Sequence, residues 1–244
     1  MREKKKKSFL GKILKDLRKS LKRKYKISYS QCGEDIIIAF ILNTMRIKKP
    51  SYLDIGAHDP FHFNNTFLFY QKGCTGVNIE PNPFLFKRLL SKRGRDINLN
   101  AGIAAKEGSL DFYVITTDAS TLSTFSKETA ERYCSFGNQK IKEILKINVL
   151  NVNDVVKKHF SQKPNLVSLD VEGLEMEILR SFDFGSFRPE VFCIETITYA
   201  EEKKVAEITE YMQSVGYMVH ADTWINTIFV DKAAWDNAAL SRER

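Results

Sequence analysis

This chain of 244 residues has no long apolar run. Nothing in it approaches the ~20 consecutive apolar residues of a membrane-spanning helix. Nor does an uncharged apolar segment follow the N-terminal lysines, as it would in a secretion signal. Cysteine is scarce as well. Cys32, Cys74, Cys134 and Cys193 stand far apart, without the paired spacing of a zinc ribbon or a thioredoxin-like redox site, and read as small apolar residues. A protein of the reducing cytoplasm is the expectation. Glycine is thin where a dinucleotide site would need it: after Gly56 the next glycine is Gly73, which leaves no G-x-G-x-x-G cradle for a pyrophosphate.

Acidic charge is in deficit, 30 Asp/Glu against 38 Lys/Arg, but the deficit is local. Residues 1–26 carry 13 Lys/Arg and 2 Asp/Glu, a net of +11, which leaves −3 on residues 27–244. The chain therefore divides into a basic segment, 1–26, and one domain, 27–244, long enough to bury a substantial core. In the segment Leu10, Ile13, Leu14, Leu17 and Leu21 recur at three- and four-residue spacing among lysines and arginines, the pattern of an amphipathic basic helix. Such a helix suits peripheral contact with an anionic membrane at the inner face of the cell; docked on the body or solvated, it needs no partner. Nucleic acid is not expected, because only Phe9 and Tyr25 interleave with the charge.

What the domain does have is a series of strands ending in acids. The stretch YLDIGAHDP at 52–60 predicts a buried strand holding Asp54, followed by a tight turn that Gly56 permits. Before it, SYSQCGEDIIIAFIL predicts a helix with Ser30 as N-cap, Glu34 and Asp35 at its positive end, and 36–42 buried. After it, Asn64 or Asn65 caps a short helix at 66–72, and a strand at 75–79 ends at Glu80. Pro81-Asn82-Pro83 opens a helix at 84–92. A third strand, 96–100, leads into Ala101-Gly102, small enough for a flat ring to lie against the backbone. A fourth, 109–115, precedes a hydroxyl-rich loop at 116–126.

Residues 127–160 carry weaker signals: a helix from Lys127, a Gly137-Asn138 turn, a lysine-rich segment to Leu150, and a helix at 154–160 capped by Asn153. The apolar strand 166–169 then runs into Asp170-Val171-Glu172-Gly173 and a helix at 174–182. Another strand, 191–194, ends at Glu195. An amphipathic helix at 199–215, a hairpin of 217–222 with 225–230, and a trailing segment with Trp235 complete the chain.

In a parallel sheet Asp54, Glu80, Asp170 and Glu195 share the carboxyl edge, where open α/β sheets bind their ligands. Like charges are costly to bury without partners, so that edge calls for hydroxyls, a cation or water. Glu80, one βα unit after Asp54-Ile55-Gly56, is placed to accept both hydroxyls of an adenosine ribose. Asp59 would repel a pyrophosphate. S-adenosylmethionine has no phosphate and brings a sulfonium and an ammonium to this acidic edge.

The same residues carry a resemblance. SQCGED at 30–35, YLDIGAHDP at 52–60, NIEPNP at 78–83, INLNAGIA at 97–104, SLDVEGLEMEIL at 168–179, PEVFCIE at 189–195 and INTIFV at 225–230 together resemble the FkbM family of S-adenosylmethionine-dependent methyltransferases. The resemblance implies an α/β class I methyltransferase (Rossmann-like) fold: a mostly parallel seven-stranded sheet with a C-terminal antiparallel hairpin and helices on both faces. It implies S-adenosylmethionine as cofactor, with Asp54, Gly56 and Ala57 at the methionine moiety and Glu80 with Pro81 at the ribose. Asn100, Ala101 and Gly102 fall at the adenine, and Gln31 and Glu34 reach over from the N-terminal side. The implied reaction is O-methylation of a hydroxyl on a sugar, glycan or polysaccharide precursor, or related metabolite. His58-Asp59-Pro60 departs from the glycine motif usual in methyltransferases.

Methyl transfer from a sulfonium is an in-line displacement, helped by holding acceptor, methyl and sulfur in line. A sugar hydroxyl is a poor nucleophile, so a base or a metal that lowers its pKa assists. Asp170, Glu172, Glu195 and His58 are the candidate catalytic groups, and Asp170 with Glu195 offers the alternative of oxygen ligands for a Mg2+-like ion. Two other readings compete. An NAD-dependent oxidoreductase is disfavoured by the missing glycines and by the lack of a Tyr/Lys or Ser catalytic set; a non-enzymatic, membrane-recruited module would rest on residues 1–26 alone.

Overall fold

A computed structural model describes residues 25–116, 122–135, 139–198 and 203–240. The basic helix expected within 1–26 lies outside them except for its last two residues. In order the chain forms α1 (Glu34–Thr44), β1 (Tyr52–Ile55), α2 (Phe67–Gln71), β2 (Gly76–Ile79), α3 (Pro83–Lys92), β3 (Ile97–Leu99), β4 (Gly102–Ile103) and β5 (Gly108–Thr116). Then come α4 (Lys127–Ser135), β6 (Lys140–Leu150), α5 (Val152–His159), β7 (Leu166–Leu169), α6 (Glu175–Ser181) and β8 (Val191–Glu195). The last elements are β9 (Ile197–Thr198), β10 (Lys203–Lys204), α7 (Ala206–Ser214), β11 (Tyr217–Asp222), β12 (Asn226–Asp231) and α8 (Lys232–Leu240).

The seven-stranded sheet has the order β11-β12-β8-β7-β1-β2-β3. Every pairing from β8 to β3 is parallel, and β12 runs antiparallel to both its neighbours. That is the expected α/β class I methyltransferase sheet, with its final hairpin inserting one reversed strand. Period-two alternation gives the sheet a different core on each face. Leu53, Ile55, Val167, Leu169, Phe192 and Ile194 pack on one face with α5, α6 and α7. Tyr52, Leu166, Val191 and Cys193 pack on the other with α1 and α2. Asp54 alternates with Leu53 and Ile55, so it falls on the α1–α2 face.

Beneath that face the core turns polar and is knit together by an arginine. Arg93 has no exposure to solvent. Its Nε donates to Asp96 at 2.8 Å, and its two terminal nitrogens donate to Asn64, Thr66 and the Tyr52 hydroxyl at 3.0–3.2 Å. The Thr66 hydroxyl donates to Asp54 at 2.7 Å. Thr66, not Asn64 or Asn65, takes the N-cap position of α2, and the Asn64 oxygen accepts from the backbone N–H groups of Thr66 and Phe67.

Five further local expectations are revised. Gly33, at φ 92, takes the N-cap position of α1, and the hydroxyl of Ser30 donates to Asp35 instead. Asn151 rather than Asn153 caps α5, because Val152 must join the helix to reach the core, where it is wholly buried. Strand 109–115 does not join the central sheet: β5 pairs antiparallel with the long β6, beside β4, in a separate three-stranded sheet. The lysine-rich segment is thus a strand. The helix expected at 199–215 starts only at Ala206, since Lys203 and Lys204 pair with Thr198 and Ile197 and the Val205 N–H donates to Thr196. Trp235, expected in a trailing segment, sits on α8 with its ring 5.0 Å from that of His220. The Gly137-Asn138 turn, and residues 117–121 of the hydroxyl-rich loop, lie outside the described residues. Among the described residues no helix is long and apolar enough to cross a membrane.

Candidate active site

The ladder of the sheet continues one residue past three strand ends and assembles the site. Gly56 and Ala57 donate their N–H groups to Ile79, Glu80 donates to Leu99, and Asp170 donates to Ile55. The Gly56 turn, Glu80 and Asp170 are thereby fixed side by side at the carboxyl edge, where they open on a cavity of about 320 Å3. Its remaining wall combines the apolar side chains of Ile79, Leu85, Ile103, Phe112 and Phe125 with the carboxyls of Asp170, Glu172 and Glu195. Such a mixed lining suits a molecule that is part flat and apolar and part charged.

Each predicted residue can now be placed. Gln31, Gly56, His58, Glu80, Pro81, Ala101, Gly102, Asp170, Glu172 and Glu195 all line the cavity. Asp54, Ala57, Glu34 and Asn100 do not. Asp54 lies across the sheet, by the period-two alternation, and is bonded to Thr66. Ala57 is buried in the turn. The side chain of Asn100 donates to the backbone oxygens of Glu80 and Pro81, so it shapes the cavity from behind. Glu34 accepts from Thr223 at 2.6 Å and from Asn226 at 3.1 Å, tying the segment with Gln31 and Cys32 to the β11–β12 hairpin over the cavity mouth. Asp59 also turns away: its carboxylate accepts from the Phe61 and His62 N–H groups and pairs with Arg88 at 2.6 Å. Burial opposes the ionisation of Asp59, but those donors outweigh it and hold its pKa below the usual range. The repulsion it was expected to exert on a bound pyrophosphate is therefore muted.

Glu80 accepts from the N–H groups of His58 at 2.7 Å and Asn82 at 2.8 Å. Burial nevertheless lifts its pKa to about 7, with repulsion from Asp54 and Asp170 adding to the rise. His58 has φ 48, a left-handed conformation that the bond from its N–H to Glu80 holds in place. The flat surface expected at Ala101-Gly102 is covered from within the chain, since a Cβ on Gly102 would come within 2.4 Å of the Phe125 ring.

Four carboxyls gather around the β7–α6 turn and the end of β8. Oxygens of Asp170, Glu175 and Glu195 lie within 4.8 Å of one another. Burial, then the charges of Glu175 and Asp54, raise Asp170 to about 7, while a hydrogen bond from Glu195 partly offsets them. Glu195 and Glu172 are pushed well above the ordinary carboxylate range, first by burial and then by the charge of Asp170. Glu172 adopts φ 59; the Tyr133 hydroxyl donates to its carboxylate at 2.5 Å, and the Thr124 hydroxyl donates to its backbone oxygen at 2.8 Å.

Glu175 and Tyr133 were missed in the sequence. The first lies in the segment SLDVEGLEMEIL, where it reads as one acid of a helix's first turn; the second lies in the poorly patterned stretch 127–160, with no signal to single it out.

The three carboxyls are close enough to share a cation, and Glu175 also accepts from the N–H groups of Val171 and Gly173; beyond that closeness nothing favours the Mg2+-like ion.

Residues 54–219 match the family described as the methyltransferase FkbM domain. No curated protein matches the chain. Among similar solved structures are a TehB-like SAM-dependent methyltransferase from Corynebacterium glutamicum (9% identity, covering 91% of this chain and 97% of that one, TM-score 0.42) and a precorrin-6y C5,15-methyltransferase from Geobacter metallireducens (15%, 77% and 73%, 0.41). A third is 1,6-didemethyltoxoflavin-N1-methyltransferase from Burkholderia thailandensis (10%, 82% and 77%, 0.40), solved with its didemethyltoxoflavin and S-adenosylhomocysteine bound.

Proposed function

Because this chain belongs to the methyltransferase FkbM domain family, we propose that it moves the methyl group of S-adenosylmethionine to a hydroxyl oxygen of a sugar, glycan precursor or related metabolite, with Asp170 as the base. The observation that carries this reading is that Glu80 and Asp170 line one cavity from the two sides of β1, each with its pKa lifted to about 7. Ionised Glu80 accepts the two ribose hydroxyls, and the apolar wall from Leu85 to Phe125 receives the adenine. Bound there, S-adenosylmethionine supplies an activated methyl group. Gly56 lines the cavity beside it, and the carboxyls there favour the positively charged sulfonium over neutral competitors.

Asp170 is the acid best matched to the proton transfer, because a general base works best with a pKa near the working pH. As the new O–CH3 bond forms and the S–CH3 bond breaks, the hydroxyl proton passes to the Asp170 carboxylate; a methyl ether and S-adenosylhomocysteine remain. Glu195, hydrogen-bonded to Asp170, holds that carboxylate in place. Thermal shift tests the cofactor half of the reading: S-adenosylhomocysteine raises the melting temperature and NAD does not, while stabilisation by NAD alone overturns it. For the base, Asp170→Asn lowers turnover by about 100-fold with the affinity for S-adenosylhomocysteine retained.

A further inference from the structure

Among the described residues, five other than glycine have a positive φ: Arg46, His58, Phe63, Glu172 and Trp224. Four of the five gather at one place. His58, Phe63 and Glu172 line the cavity, and Trp224 precedes Ile225, which lines it too. Phe63 and Trp224, at φ 52 and 74, are large rings that stand 56% and 59% exposed. A bulky side chain is rare in that conformation, and such strain collects at functional sites. We propose that Phe63 and Trp224 form the contact surface of the methyl acceptor, and that the acceptor lays the C–H face of a saturated sugar ring on them.

The proposal rests on the methyltransferase reading above and adds the residues that touch the acceptor. Phe63 lines the same cavity as Gly56 and Asp170 and is largely exposed, so it stands where that cavity meets solvent. A ring laid against it faces the same space as the base. The backbone beneath both side chains is fixed. Next to Phe63, the Asn64 N–H donates to the Tyr29 oxygen at 2.9 Å, and the Asn64 side chain donates to the oxygens of Ala57 and Asp59 at 3.0 and 3.1 Å. The Trp224 N–H donates to the Asp222 carboxylate at 2.7 Å, beside the bond from Thr223 to Glu34. Rings displayed on a fixed backbone lose less freedom on binding.

A pyranose has a face of C–H groups and an edge of hydroxyls. The negative π face of an aromatic ring attracts the first, and the second needs polar partners. Those stand beside the rings. Gln31 lines the cavity, and Asn226, 1% exposed, donates to Gln31 at 3.3 Å and to Glu34 at 3.1 Å while its amide oxygen is buried without a partner. A sugar can give one hydroxyl to Asp170 and others to these amides. A phenol has only one to give, and an open-chain polyol has no flat face.

Saturation-transfer NMR on the full chain with S-adenosylhomocysteine bound tests this with the methyl glycosides of glucose, galactose, mannose and rhamnose, glucitol as open-chain probe and p-cresol as planar probe. Glycine accepts a positive φ, so Phe63→Gly and Trp224→Gly each remove a ring without adding strain. At least one glycoside binds the wild type; each variant weakens it by about fivefold or more, with the affinity for S-adenosylhomocysteine within about threefold. Phe63→Leu and Trp224→Leu repeat the comparison should a glycine variant lose S-adenosylhomocysteine. Fluorescence locates the contact, because Trp235→Phe leaves Trp224 as the only tryptophan, and the glycoside changes its emission. The proposal is overturned if no glycoside binds, if either ring can be removed at wild-type affinity, if glucitol or p-cresol binds as tightly as the best glycoside, or if the emission is unchanged at saturation. A wild type that fails to bind S-adenosylhomocysteine overturns the methyltransferase reading and this proposal with it, whereas S-adenosylhomocysteine binding without a glycoside signal overturns the proposal alone.

Discussion

The Cβ atom that Gly56 lacks would sit 1.7 Å from the backbone oxygen of Asp170. Two strand ends thus touch through a missing side chain, and the contact is what brings the cofactor turn against the proposed base.

Gly56→Ala forces both a backbone clash and φ near +80, so it should cost ~4 kcal/mol or more in denaturant unfolding. Gly33→Ala is the control. Its φ is +92 with nothing within 4 Å, and it should cost only ~1–2 kcal/mol.

Glu80 makes cofactor binding depend on pH. Its folded pKa of about 7 lies above the model-peptide 4.5, so the free protein is stabilised by its proton below pH 4.5 and loses that contribution as pH rises towards 7. Ribose hydroxyls need the ionised form, so binding runs the other way: the affinity for S-adenosylhomocysteine should be about tenfold weaker at pH 6 than at pH 8. Glu80→Gln should bind weakly at both, with the slope gone; calorimetric titration across that range reads the effect.

Arg93 and Arg88 each pair with an aspartate but differ in burial. Arg93→Met leaves Asp96 buried without a counter-charge and should destabilise by ~3–5 kcal/mol. Arg88, with 44% of its side chain exposed, reaches a buried Asp59 that keeps the N–H groups of Phe61 and His62, and Arg88→Met should cost less, ~1–2 kcal/mol. Urea midpoints of the two variants measured side by side decide it.

Removing residues 1–26 takes away a net charge of +11 and the apolar stripe beside it. Sedimentation with vesicles rich in anionic lipid should lose any binding on this deletion, whereas the thermal shift with S-adenosylhomocysteine should be unchanged. A deletion that keeps vesicle binding would place the membrane contact on the domain.

Much of the central sheet could be read from the sequence because its strands are short apolar runs with abrupt ends: 52–55, 166–169 and 191–195 each stop at or beside an acid or a glycine turn. The same simplicity misled at Asp54. Its position in the chain suggested the cavity, yet the strand's alternation sends it to the opposite face, a consequence written in its neighbours Leu53 and Ile55. β6 was obscure for another reason: its lysines face water on a sheet with one open side, and charge masks the alternation. Tyr133 could not be found at all, because its importance comes from a bond to Glu172, 39 residues away.

The bonds from Glu34 to Thr223 and Asn226 join residues 189 and 192 positions apart. During synthesis the first half of that clasp waits for its partner, 189 residues further on. A nascent protein still attached to the ribosome before residue 226 emerges has the Gly56 turn and Glu80 but an unfastened mouth, so the clasp closes late. Cofactor capture by chains arrested at increasing lengths should therefore appear late and abruptly, as a step tied to the hairpin and not as a gradual rise with length.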